Sequence, residues 1–160
     1  MIAEAVIAAA LMGRPQGPAP ERAPSDLPPD RLAYLAAAIA GEAGDDIDTA
    51  AALIVNGERE SSWRTPVERC SIPGLGGWGA FGVARLWTRR YPGGTCGSID
   101  RQVHASRGIW GWHYRDTGWS VPRSFGRYVG ARAGGRHPEA RARARIFWTV
   151  RAQLACACSL

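Results

Sequence analysis

Lysine is absent from this chain of 160 residues, and all 20 of its basic side chains are arginines. A guanidinium is a planar donor that suits carboxylates and phosphates, although a GC-rich coding bias explains the same composition. The charge is also uneven, because residues 1–57 hold 3 arginines against 8 acids and residues 58–160 hold 17 against 6. The downstream part of the chain is therefore basic, which suits a polyanion without selecting one.

Signatures of several common enzyme classes are missing. The chain has no Gly-x-Ser-x-Gly, no His-Glu-x-x-His and no Cys-x-x-Cys, and its glycines at 74–82 lack a Gly-Lys-Ser/Thr ending. These absences argue against a serine hydrolase triad, a zinc site and a phosphate loop, so we expect no metal and no cofactor. We interpret the three scattered histidines as structural or surface groups: His104, His113 and His137.

Strand-like alternation is missing too, whereas apolar residues recur at helical spacing. The pattern predicts a mainly α fold with one domain over residues 31–160. The first predicted helix begins at about Asp30 and ends before Gly41, and the second begins at Asp46 or Asp48 and ends at Trp63. The other predicted helices cover Ala80 to Arg89, Ser98 to Arg115, Val121 to Val129 and His137 to Leu154.

Residues 1–30 have a different composition. Met1 to Gly13 is an apolar run too short to span a bilayer as a helix, and it is similar to the core of a secretory signal. It lacks a basic start and carries Glu4, so a short helix is the alternative. Arg14 to Asp30 is rich in proline and predicts a linker.

The four cysteines, Cys70, Cys96, Cys156 and Cys158, allow two disulfide bonds. A bond between Cys156 and Cys158 would close a small, strained ring. We therefore expect cross-links from this C-terminal pair to Cys70 and Cys96, or a single bond between Cys70 and Cys96. Four reduced thiols are the remaining alternative.

The stretch from Glu58 to Trp87 holds the side chains best suited to chemistry. Glu60 closes an apolar helical run, and a glycine-rich loop follows it. Cleavage of a glycan needs a carboxyl that keeps its proton until the glycosidic oxygen takes it, and apolar surroundings favour that protonated form. Aromatic rings can form such apolar surroundings or stack on sugar rings, and their alternative role is packing in the core. The aromatic residues considered for these roles are Trp63, Trp78, Phe81, Trp110, Trp112 and Trp119.

Glu58 competes with Glu60 for this role. The two lie two residues apart, so on a helix their carboxyls diverge by about 200 degrees and only one can face a cleft. We favour Glu60 because Ser-Ser-Trp follows it directly.

Three ordered motifs resemble those of the lytic transglycosylases and goose-type lysozymes. The run AALIVNGERESSW is similar to their helix with a terminal Glu-Ser, and Gly79-Ala80-Phe81-Gly82-Val83-Ala84-Arg85 is similar to their Gly-Ala-x-Gly-Leu-Met-Gln motif. Phe125-Gly126-Arg127-Tyr128-Val129-Gly130 resembles a third motif, in which Tyr-Asn precedes glycines. The resemblance covers about Leu32 to Leu154.

This resemblance implies a lysozyme-like domain with an active-site cleft in which Glu60 is the general acid. Tyr128 would lie beside Glu60 and hold it. Val83-Ala84-Arg85 replaces Leu-Met-Gln, which removes an amide expected to contact an N-acetyl sugar, and Val129 replaces Asn. The residues implied to bind the substrate are Ser61, Trp78, Gly79, Ala80, Phe81, Gly82, Val83, Arg85 and Tyr128.

The resemblance implies a peptidoglycan lytic transglycosylase that cleaves the MurNAc-GlcNAc bond. Few acids lie downstream, and none sits in a recognisable motif, which favours a reaction that needs no second carboxylate over a hydrolytic muramidase. We expect a monomer acting on peptidoglycan in the periplasm, after secretion, or with a phage or secretion machine. The alternatives are a non-catalytic wall-binding module and a nucleic-acid binder using the arginines of Arg136 to Arg151, a run that we interpret as a solvated helix face.

Overall fold

The computed structural model describes residues 4–12, 28–61, 69–71, 79–130 and 133–157. These residues contain no β-strand, and the prediction of a mainly α fold is confirmed. The six α-helices are α1 (Glu4–Met12), α2 (Pro29–Ala43), α3 (Ile47–Ser61), α4 (Ile99–Asp116), α5 (Val121–Tyr128) and α6 (Pro138–Ala157). Two short 3-10 helices cover Arg85–Trp87 and Gly134–Arg136.

Helix α3 is the central element of the core. Every residue from Ala50 to Val55 has no exposed surface, because α3 packs against α6, α2 and α4. Its start is set by Asp46, whose Oδ1 accepts a hydrogen bond of 3.0 Å from the Thr49 N–H. This is a common way to satisfy a free N–H group at a helix N-terminus. The helix places Glu60 in its last turn.

The predicted helix from Ala80 to Arg89 is wrong. Residues 79–98 form a series of turns, and only the 3-10 helix Arg85–Trp87 is helical. Gly79 and Gly82 have φ angles of +76° and +59°. These left-handed conformations are accessible to glycine and incompatible with a continuing right-handed helix.

Helix α1 packs on α2 and α6 and buries Ile7, Ala10 and Leu11 in the core. The apolar run at the start of the chain is thus helical in the structure, and its role as a signal stays a prediction. Most of the predicted linker lies outside the described residues. Within the described parts, no helix combines the length and the apolar character that crossing a membrane requires.

A disulfide bond joins Cys70 to Cys96, which is the single-bond alternative. It connects the turn at 69–71 to the loop before α4. Cys156 is free and exposed, and Cys158 lies outside the described residues.

Candidate active site

Glu60 is almost completely buried, with 3 % of its surface exposed, at the C-terminal end of α3. Its neighbour Ser61 is also buried, and the Ser61 hydroxyl donates to the Gly57 carbonyl at 2.8 Å. The hydroxyl of Ser61 therefore has an acceptor within its own helix. A buried carboxyl such as that of Glu60 needs a partner from elsewhere in the fold.

Arg143 of α6 is that partner. Its Nη2 donates to Glu60 Oε1 at 2.5 Å, its Nη1 to Asn56 Oδ1 at 3.0 Å and its Nε to Glu139 Oε1 at 3.1 Å. Like Glu60, the Arg143 side chain is 3 % exposed. A buried guanidinium is tolerated when its donors meet fixed acceptors, so Arg143 fixes the position of the Glu60 carboxylate.

Glu139 is a second carboxylate at the same place. Arg59 donates to it through both Nε, at 2.8 Å to Oε1, and Nη2. Burial alone would raise the pKa of Glu139, but the hydrogen bonds and charges of Arg59 and Arg143 lower it from 4.5 to about 2. Glu139 is therefore ionised at neutral pH. We call the set that joins α3 to α6 the ionic wall: Asn56, Arg59, Glu60, Glu139 and Arg143.

Gly82 lies directly against the second oxygen of Glu60. A Cβ built at Gly82 would stand 2.4 Å from Glu60 Oε2, so any larger residue would collide with the carboxyl. Oε2 is buried, and none of the described residues forms a hydrogen bond with it. The glycine-containing turn at 79–82 therefore covers the one carboxylate oxygen that Arg143 leaves unused.

Three polar contacts hold this turn. The Ala80 N–H donates to Gln102 Oε1 at 2.7 Å, and Gln102 Nε2 donates to the Gly97 carbonyl at 2.8 Å. The Phe81 carbonyl accepts from the Tyr128 hydroxyl at 2.9 Å. Gly79 is equally constrained, because a Cβ there would stand 2.0 Å from the Thr95 carbonyl oxygen. Helices α4 and α5 thus position the turn over Glu60.

Tyr128 lines the cleft together with Glu60, but its hydroxyl makes no hydrogen bond to Glu60. Its hydroxyl donates to Phe81 and lies 2.9 Å from Ser106 Oγ, which is placed to donate to it. Burial raises the pKa of Tyr128 well above its usual range, and a hydrogen bond from Ser106 opposes this shift. Tyr128 is therefore a neutral group that supports the turn, while Arg143 holds Glu60.

A cleft of about 700 Å³ opens beside these residues. Of the predicted site residues, Glu60, Gly82, Val83 and Tyr128 line it. Gly79, Ala80 and Phe81 belong to the same turn but do not line the cleft, nor does Ser61. Trp63, Trp78 and the side chain of Arg85 lie outside the described residues.

Part of the cleft lining is mainly apolar, and we call it the aromatic wall: Leu86, Trp87, Trp112 and His113. The Trp87 ring meets the edges of Trp112 and His113, with centroids 5.5 and 6.0 Å away. Burial, and then the charge of Arg127, lowers the pKa of His113 from 6.5 to about 4. His113 is thus a neutral ring at neutral pH, and its burial agrees with the structural alternative for the scattered histidines.

The other two tryptophans considered for a sugar groove lie elsewhere. Trp110 is 1 % exposed and stacks on Tyr114 in the core. Trp119 is exposed and meets the edge of Tyr114 outside the cleft. Of the three tryptophans in 110–119, only Trp112 contributes to the cleft.

The sequence reasoning missed Arg143 and gave Glu139 no role. The interpretation of Arg136 to Arg151 as a solvated face is wrong for Arg143, which is buried. A signal was present, because Arg143 falls in the buried stripe of α6 between Ala140 and Phe147, at spacings of three and four. An arginine on an apolar stripe needs an internal partner.

Chemically, the site offers a carboxyl, a second ionised carboxylate and an aromatic surface. Within the described part of the chain, no three histidine, cysteine, aspartate or glutamate side chains group as metal ligands would. Carboxyl groups at the edge of a cleft are common proton-transfer groups. Comparisons with protein-family models, with curated proteins and with solved structures found no match for this chain.

Proposed function

We propose that the protein is a peptidoglycan lytic transglycosylase that cleaves the bond between MurNAc and GlcNAc, with Glu60 as the acid and then the base. The observation that carries this proposal is the position of Glu60 in a cleft of about 700 Å³ that the aromatic wall also lines. The three motifs that resemble this superfamily point the same way. A sugar ring lying on Trp87 and Trp112 would present its glycosidic oxygen toward the ionic wall.

In the proposed reaction, the Glu60 carboxyl donates a proton to the glycosidic oxygen, and the bond between that oxygen and C1 of MurNAc breaks. The resulting Glu60 carboxylate then takes the proton of the MurNAc 6-hydroxyl as its oxygen bonds to C1. The products are a free GlcNAc 4-hydroxyl and a 1,6-anhydro end. No water and no second carboxylate are consumed.

Arg143 has a defined part in this cycle. Because its contact with Glu60 Oε1 stabilises the carboxylate, Glu60 takes up the proton that it donates only when substrate binding weakens this contact, and the contact re-forms after the proton has left. Proton donation requires Oε2, which Gly82 covers, to come within reach of the substrate. Binding of a sugar against Val83 would therefore be coupled to a shift of the turn at 79–82.

Peptidoglycan lies outside the cytoplasm, so this function requires delivery to the periplasm, to the cell exterior, or through a phage or secretion machine. The disulfide bond between Cys70 and Cys96 supports an oxidising location, because such bonds persist mainly there.

Glu139 supports a second candidate, a hydrolytic muramidase. It is ionised and lines the same cleft, so it could take a proton from water attacking C1. The sparse downstream acids had favoured the transglycosylase, and the presence of Glu139 in the cleft weakens that argument.

Product mass separates the two reactions. We expect purified protein to release muropeptides from peptidoglycan whose glycan ends are one water lighter than a reducing end. Glu139→Gln should keep this product. Reducing ends from the native protein, with loss of activity in Glu139→Gln, would establish hydrolysis instead.

A further inference from the structure

A second groove, of about 810 Å³, adjoins the cleft where α4 ends and α5 begins. Its remaining wall is the 3-10 helix Gly134–Arg136. Three arginines line it, and we call it the arginine groove: Arg123, Arg127 and Arg136. Nothing in the proposed reaction uses this groove.

The arginine groove and the cleft are neighbours on the surface. Arg127 lines both of them, and it directly precedes Tyr128, which lines the cleft. A polymer bound in the cleft can therefore extend a branch into the groove without leaving the surface.

Close backbone packing brings the three arginines together. A Cβ at Gly126 would stand 2.3 Å from the Gly134 carbonyl carbon, and one at Gly135 would stand 2.9 Å from the Arg123 nitrogen. Only glycines allow the 3-10 helix to approach α5 so closely, and this approach sets Arg136 beside Arg123. The sequence thus concentrates like charge in one place.

This concentration of charge is only partly compensated among the described residues. Arg123 and Arg127 stand four apart on α5, where like charges repel, and α5 contains no acid. Arg127 lies 3.6 Å from the exposed Asp116, while Arg123 and Arg136 take part in no ion pair among the described residues. An arrangement that costs stability and leaves two guanidinium groups available indicates an anionic ligand.

Isolated carboxylates fit this groove better than a polyphosphate. Asp116 lies inside it and would repel a continuous row of phosphates, whereas a single carboxylate can pair with Arg123 and Arg136 away from Asp116. We propose that the arginine groove binds carboxylates of the peptide that branches from the glycan strand in the cleft. This inference rests on the proposed function and names a further part of its substrate.

The test is sedimentation of the full chain, on ice, with peptidoglycan and with the same material stripped of its peptides by an amidase. We expect native protein to bind the peptide-bearing material about tenfold more tightly, since stripping removes the peptide carboxylates and leaves in their place only the lactyl carboxylate of MurNAc, which lies on the glycan strand itself. Arg123→Gln/Arg136→Gln should reduce this preference to about twofold or less. Arg141→Gln/Arg145→Gln is the matched control, because both residues are exposed and outside the groove, and it should keep the preference.

Equal binding of native protein to both materials would overturn the inference, as would loss of the preference in the control. If Arg123→Gln/Arg136→Gln loses binding to duplex DNA but keeps its preference among wall materials, the groove binds phosphates and the inference is wrong. Muropeptide release is measured separately. A protein that releases none, yet keeps the peptide preference, would refute the proposed reaction alone.

Discussion

The two walls of the cleft are built in opposite ways. The ionic wall is buried, and its charges are joined by hydrogen bonds between two long helices. The aromatic wall is partly exposed and is held by ring contacts between α4 and a 3-10 helix. Buried, paired charge gives fixed geometry, whereas partly exposed rings give an adaptable apolar surface. In the proposed reaction, the ionic wall supplies the reacting carboxyl and the aromatic wall binds the sugar.

The largest expected effect comes from breaking the ionic wall. Arg143→Met leaves Glu60 buried without its cation, and removal of one partner from such a pair costs about 3–5 kcal/mol. The variant should therefore unfold at a much lower urea concentration. Arg145→Met is the control on the same helix, and because Arg145 is exposed it should change stability by less than about 0.5 kcal/mol. Equal effects of the two substitutions would mean that the ionic wall does not hold α3 to α6.

A somewhat smaller effect is expected from His113 on the aromatic wall. Its pKa is about 4 in the folded protein and 6.5 in the unfolded chain. At pH values between these two, His113 is therefore protonated in the unfolded chain and neutral in the folded protein. The stability contributed by neutral His113 is fully present above pH 6.5 and is lost as pH falls toward 4.

Urea unfolding of native protein and His113→Gln at pH 7, 5.5 and 4 measures this contribution. The native protein should lose more stability than the variant over this range. The depressed pKa of Glu139 acts in both proteins, below pH 4.5, and therefore cancels in the comparison. Parallel curves would show that His113 is accessible to protons in the folded protein.

The smallest effect on stability should come from Trp112, which is 38 % exposed. Trp112→Ala removes a ring on which a sugar would stack, so KM should rise about fivefold to tenfold while kcat changes little. Trp110→Ala is the informative contrast: it empties a buried site and should cost about 3–5 kcal/mol. A fall in kcat without a rise in KM in Trp112→Ala would mean that the aromatic wall acts in the chemical step and not in substrate binding.

Local pattern was enough to predict most helices and the position of Glu60. Apolar spacing located α3, and the Glu60 position at its end followed from that spacing. The turn at 79–82 was mistaken for a helix start, because apolar residues between glycines fit both structures and the positive φ of Gly82 is set by its contact with Glu60.

The hydrogen-bond partners of Glu60 could not be predicted from local sequence pattern. Arg143 lies 83 residues from Glu60, and their contact exists only because α6 packs on α3. Among so many arginines, the one that is buried is marked only by its place in an apolar stripe. Tyr128 was placed near the cleft, but its hydrogen-bond partners depend on how the turn at 79–82 folds over α3.

The most direct test of the account compares two glutamates on one helix. Glu60→Gln and Glu58→Gln each remove one carboxylate from α3, and only Glu60 lines the cleft. With circular dichroism confirming that both variants fold, we expect Glu60→Gln to release muropeptides at least about 10³-fold more slowly than native protein. Glu58→Gln should stay within about threefold of it. Full activity in Glu60→Gln, or its loss in Glu58→Gln alone, would contradict the assignment of Glu60 as the catalytic acid.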